Sequence, residues 1–194
     1  VKLHFQSMPV RLEPVYLANV LLFVSGVDAI KAFPFVSKHC QVATLTLKVN
    51  PAAFSHPPRD ILRFFPNINT MNVDDLTDFK KSDTLPDTVT ALVVKCVNFT
   101  NLPKGLLRYA DRVVEIQSSR SFNRDLADVS LFPTLQRLSL DTIPDRLVMP
   151  GHKLKTLRVR HPKHDKTPLD VFPAECAEQI VHVFDSKKAV ATAK

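Results

Sequence analysis

Thiols, imidazoles and guanidinium groups are the side chains of this sequence that could carry chemistry. Cys40, Cys96 and Cys176 are odd in number, widely separated and in no C-x-x-C pair. A structural zinc needs four ligands at close spacing, so no metal site is expected, and buried free thiols are the simpler reading. None of the three carries the local signature of an activated nucleophile, and Cys96 sits in the strand-like stretch Val93–Val97. His161-Pro162-Lys163-His164 pairs two imidazoles in a loop without a third ligand nearby. Glycine is too scarce for a phosphate-cradling loop, no dinucleotide fingerprint occurs, and no carboxylate pair stands out. What remains is a basic group near the C-terminal end, Arg137, Arg158, Arg160 and Lys163. Guanidinium forks suit bidentate pairing with carboxylate or phosphate. The chemistry expected is recognition rather than catalysis, with no cofactor and no metal.

The elements that would position those residues follow from composition and pattern. A chain of 194 residues, 45% of them hydrophobic, suits one domain with a substantial core or a domain plus a small cap. Fifteen prolines are too many for long helices and suit strand starts and loop exits. The most apolar run, Val15–Val24, is interrupted by Tyr16 and Asn19 and is too short to span a bilayer. Unpaired cysteines suit a reducing compartment, so the expected setting is intracellular, cytoplasmic or nuclear, and the expected state a monomer. Residues 1–8, with Phe5-Gln6-Ser7-Met8, resemble what a cleaved purification tag leaves behind and are set aside. The net charge of +7 hints at an anionic partner, but the basic residues are scattered, which speaks against nucleic acid.

One apolar signature keeps returning, with Leu135-Gln136-Arg137-Leu138-Ser139-Leu140 as its clearest copy. Aligning the central pairs gives Leu45/Leu47, Met71/Val73, Leu92/Val94, Val114/Ile116, Leu138/Leu140 and Leu157/Val159. Successive steps are 26, 21, 22, 24 and 19 residues, and a weaker match at Val181/Val183 follows 24 residues later. An apolar residue stands three positions ahead in most units (Val42, Ile68, Val89, Leu135, Leu154), whereas the fourth has Asp111. Such a period marks a repeat array of short strands and return segments. Pro66, Pro86, Pro133 and Pro150 precede strands where a missing N–H does no harm. Short helices are expected at Asp60–Phe65 and Phe122–Phe132, and no more than a turn at Pro144–Pro150.

Strand side chains alternate between faces, so the apolar pairs point inward and their neighbours outward. The outward positions are Thr46 and Lys48, Asn72 and Asp74, Val93 and Lys95, Glu115 and Gln117, Arg137, Ser139 and Asp141, then Arg158 and Arg160. Together they form the expected partner-binding face, because solenoids bind extended partners along one concave surface.

Ahead of the repeats, Pro14 can start a helix whose Leu17, Val20, Leu21 and Val24 share a face, and Asp28 can cap a second helix holding Ile30, Phe33, Phe35 and Val36. Pro34 must kink or shorten that helix.

Leu12-Glu13-Pro14-x-x-Leu17-x-x-Val20-Leu21-Leu22-x-Val24 followed by Ile30-x-x-Phe33-x-x-Val36-Ser37-Lys38-x-Cys40 is similar to an F-box. That resemblance implies docking on the adaptor of a cullin-type ubiquitin ligase, through a face made of Leu12, Pro14, Leu17, Leu21, Val24, Phe33 and Val36. Cys40 stands where many F-boxes have Trp, and the repeats begin so soon afterwards that the family's third helix is expected to be missing. From Val42 to Val183 the chain resembles leucine-rich-repeat proteins, including the many of protozoa such as amoebae.

The resemblance implies an α/β repeat solenoid: a curved parallel sheet, irregular short helices or turns on the convex side, and an N-terminal helical cap. It also implies Asn or Cys three residues after each second leucine, where Asn50 fits, Ser119 could substitute, and Leu76, Val97, Ile143 and Pro162 do not. The expected organisation is a tag remnant at 1–8, an F-box-like cap at 9–41, about six to seven repeats over 42–184, and a tail at 185–194 that is frayed or without structure. The leading function is non-catalytic protein binding, and the rival is an anion or nucleic-acid binder using the basic C-terminal repeats.

Overall fold

Ser37 marks the first departure from the sequence pattern. Its Oγ accepts a hydrogen bond from the Cys40 N–H at 3.1 Å, capping a helix that runs Lys38–Thr46 (α3). In the computed structural model, which describes residues 12–54, 56–74, 84–96, 104–118, 127–141, 146–161 and 172–184, α3 replaces the expected first repeat strand. Cys40, Ala43, Thr44 and Leu47 turn inward at helical spacing, while Val42 and Leu45 are exposed. The alternation of Val42–Leu47 suggests a strand, but among the described residues no strand lies beyond it. Packing on α1 (Pro14–Leu22) and α2 (Val27–Val36) buries the helical face instead.

The cap therefore has three helices and reaches Thr46 rather than residue 41. Pro14 does start α1. Gly26, not Asp28, is the N-cap of α2, and Asp28 falls in its first turn. Pro34 sits inside α2, which continues to Val36.

After the cap, Phe54 anchors an aromatic cluster with α4 (Pro58–Phe64). Its ring meets Phe64 at 5.3 Å and Phe65 at 5.2 Å, both edge-to-face. Among the described residues, six parallel strands then form one sheet: β1 (Thr70–Val73), β2 (Ala91–Cys96), β3 (Val113–Ser118), β5 (Arg137–Leu140), β7 (Leu154–His161) and β8 (Ala177–Phe184). Each pairs with the next in chain order, which is the topology of a solenoid. Two return segments form a second small parallel sheet, β4 (Ala127–Asp128) with β6 (Leu147–Val148). The helix expected over Phe122–Phe132 is thus a strand and turn in its described part, and the segment before Pro150 is more than a turn. A four-residue helix, α5 (Lys104–Leu107), follows β2.

The inward residues follow one spacing throughout: Ile68, Met71, Val73; Val89, Leu92, Val94; Val113, Ile116, Ser118; Leu135, Leu138, Leu140; Leu154, Leu157, Val159; Ala177, Ile180, His182. Two register assignments change. Leu92 pairs with Val113 and Val93 with Glu115, so Val114 is an extra, bulged residue rather than an inward one. With that shift Val113 takes the place that Asp111 fails to fill. In the last unit Leu157 pairs with Ile180 and Val159 with His182, so Val181 and Val183 face outward. A one-residue slip exchanges the faces of a whole strand.

The first turn of the solenoid is stitched by Asn50, which is fully buried. Its Oδ1 accepts from the Asn72 N–H at 2.8 Å and its Nδ2 donates to the Asn72 carbonyl at 3.1 Å, so one side chain replaces a strand's backbone. Ser118, rather than Ser119, does the related task deeper in the array: its Oγ accepts from the Asp141 N–H at 2.9 Å. Leu76, Val97, Ser119, Ile143 and Pro162, like residues 1–11 and the tail, lie outside the described residues.

Side chains at the strand starts reach the preceding turn in most units. Asn67 donates to the Leu45 carbonyl (2.8 Å), Arg112 to Pro86 and Val89 (3.0 and 2.9 Å), Thr134 to Asp111 and Val113 (2.8 and 3.1 Å), and His152 to Leu135 (2.6 Å). Bonds of this kind between successive units satisfy backbone carbonyls that helix ends, strand starts and loops leave over.

Candidate binding surface

The outward face of the six-stranded sheet gathers most of the expected residues. Register places Asn72, Val93, Glu115, Arg137, Thr156 and Gln179 in one row across the strands. A second row runs Lys95, Gln117, Ser139, Arg158 and Val181, with Asp74 at its start beside Lys95. Asp141, Arg160 and Val183 follow at the strand ends. Thr46 and Lys48 do not belong. Thr46 ends α3 with its Oγ1 bonded to the Ala43 carbonyl (3.0 Å), and Val49, not Lys48, pairs with outward Thr70.

Most of this face is half-buried, and its charges are largely paired. The Lys95 ammonium lies 2.9 Å from Asp74 Oδ1, off the direction of a hydrogen bond but the nearest counter-charge to that water-shielded oxygen. Arg137 Nε pairs with Glu115 Oε2, and the other Glu115 oxygen accepts from Gln117 Nε2 at 2.7 Å. Arg160 approaches Asp141 at 3.9 Å. Between these groups opens a cleft of about 510 Å³, lined by residues of β2, β3, β5, β7 and β8, including Lys95, Gln117, Ser139, Arg158 and Val183. Thr156, Gln179, Val181 and Val183 are additions that the sequence pattern misses. The last two read as inward because the final strand is slipped by one.

The F-box-like face is split by the fold. Leu21 is fully buried and so is not available to a partner, whereas Val24 and Phe33 are half-buried against the core. Pro14 and Leu17 are half-buried, while Leu12 and Val36 are exposed. Two side chains outside the expected face are barer than Leu12 or Val36: Phe23 is 88% exposed and Phe35 86%. The reason is geometric. The third helix covers the inner stripe of α1 and α2, which leaves the flanking residues in water.

At the far end of the sheet, His161 is buried and its Nε2 lies 2.8 Å from His182 Nδ1, so one proton is shared between two rings. Burial, and then the neighbouring His161, push the His182 pKa down. The ring of Phe184 stacks on His161 at 5.0 Å. Burial raises the Cys176 thiol pKa, which makes it a poor nucleophile. Among the described residues no group of three or more His, Cys, Asp or Glu is placed to hold a metal ion. None of the described helices is long and apolar enough to cross a membrane.

Compared with protein-family models, curated proteins and solved structures, the chain matches none.

Proposed function

We propose that the chain is a non-catalytic protein-recognition module of the leucine-rich-repeat type that holds its partner on the outward face of the sheet. The observation that carries this reading is the cleft. Five strands of one sheet bring half-buried, mutually paired polar groups to a single depression. Such preorganised side chains lose little further freedom on binding. Nucleic acid is the weaker reading, because Arg137 and Arg160 already face carboxylates and the same surface holds Glu115 and Asp141. In the finer form of the proposal the helical cap is an F-box-type docking element for a cullin-ligase adaptor. It rests on the exposed Phe23, Phe35 and Val36 rather than on Leu21 and Phe33.

Affinity capture from cell extract with three forms of the protein tests both parts. Ser139→Trp fills the cleft and is expected to lose the sheet partner while keeping any adaptor. Phe23→Asp combined with Phe35→Asp is expected to do the reverse. An adaptor retained by the second variant, or absent throughout, would reduce the helices to a cap. Equal capture of every protein by the wild type and Ser139→Trp would remove the face as the binding surface.

A further inference from the structure

Of the cations that line the cleft, Arg158 is the one without a counter-charge among the described residues. Lys95, Arg137 and Arg160 each have a carboxylate within ion-pair distance. Arg158, exposed and on the rim of the cleft, has no ion pair or hydrogen bond among the described residues. Its register neighbours are Ser139 on β5 and Val181 on β8, which offer a hydroxyl and an apolar surface but no counter-charge. The cleft lining holds three cations, Lys95, Arg158 and Arg160, against two carboxylates, Glu115 and Asp141, so one positive charge is left over.

We infer that the cleft receives an extended peptide segment bearing a single Asp or Glu side chain, which Arg158 clamps. This deepens the reading of the face as a protein-binding surface and rests on it. One carboxylate neutralises the surplus charge. A polyanion would bring further charge against Glu115 and Asp141. From Lys95 to Arg158 the row crosses three strand spacings, about 14 Å, the reach of roughly four extended residues. Along that path Gln117 and Ser139 supply side-chain donors and acceptors for the peptide backbone. A planar guanidinium engages a carboxylate through two parallel bonds, so lysine is a poor substitute.

The test is a random-peptide display selection on the full chain, with binders to Ser139→Trp removed, followed by fluorescence anisotropy of the labelled survivors. Survivors should share an acidic residue. Arg158→Ala should weaken them by about tenfold or more, with Arg158→Lys in between. Changing the peptide's Asp to Asn should cost nothing further in the Arg158→Ala protein. Cleft-dependent peptides without an acidic residue, or indifferent to Arg158→Ala, would overturn the inference and leave the binding face standing. If every binder also binds Ser139→Trp, both fall. A uridine oligonucleotide that binds more tightly than the peptides and also needs Arg158 would overturn the choice of a peptide.

Discussion

Asn50 holds the first turn of the solenoid through both halves of its amide. Asn50→Ala leaves the half-buried Asn72 N–H and carbonyl without that partner, so it should cost about 1–3 kcal/mol in urea unfolding. The His161–His182 pair gives a pH dependence. His182 titrates below its ordinary 6.5 in the folded chain, so the unfolded chain binds more protons as the solution acidifies. Stability should hold above about pH 6.5, decline below it, and level off once His182 is protonated in the folded chain as well. His182→Gln should flatten that part of the curve in a pH series of thermal melts. Asn50 is legible in the sequence, because the repeat pattern names its position. Ser118 is not, since the strand runs on past Ile116 and alternation turns Ser118, rather than Ser119, inward. The histidine pair is not legible either. It depends on the register of two strands, and no local pattern records that.

At the scale of the element, α3 is the sharpest disagreement between pattern and structure. Val42–Leu47 alternates like a strand, yet Ser37 caps a helix and Cys40, Ala43, Thr44 and Leu47 bury a helical stripe. A strand would turn Leu45 and Leu47 inward together. In the helix Leu45 is 42% exposed and Leu47 only 5%. Leu45→Asp should therefore change stability by no more than about 0.5 kcal/mol, whereas Leu47→Asp should prevent cooperative unfolding from being seen at all. Circular dichroism during denaturation separates the two. The strands themselves were readable, because Ile68, Val89, Leu135 and Leu154 each stand three residues ahead of a buried partner. The final strand was not, since Val181 and Val183 are as apolar as Ile180 and alternation alone does not fix its phase.

The whole molecule is a solenoid with unequal ends. Its first strand is covered by the Lys48–Asn50 stretch and the helical cap, so Met71 and Val73 are buried. Its last strand leaves Ile180 and His182 half-buried, where their counterparts Leu157 and Val159 are fully enclosed. Because each repeat touches only its neighbours, the cost of a deletion should follow position. Leu138→Ala in the middle should cost about 2–5 kcal/mol, and Ile180→Ala at the end distinctly less. The repeat period and the outward face can be read from spacing alone. The cleft and its pairing pattern cannot, because they depend on which residue of each strand lies beside which residue of the next.

Whether a partner sits on this outward face is decided by one pair of affinities. The captured partner is titrated against Ser139→Trp, and against Leu131→Trp, which puts the same side chain at an exposed position in a return segment. A loss of about tenfold or more is expected for Ser139→Trp, with wild-type affinity for Leu131→Trp. Unchanged affinity for Ser139→Trp, or loss with Leu131→Trp alone, would contradict it.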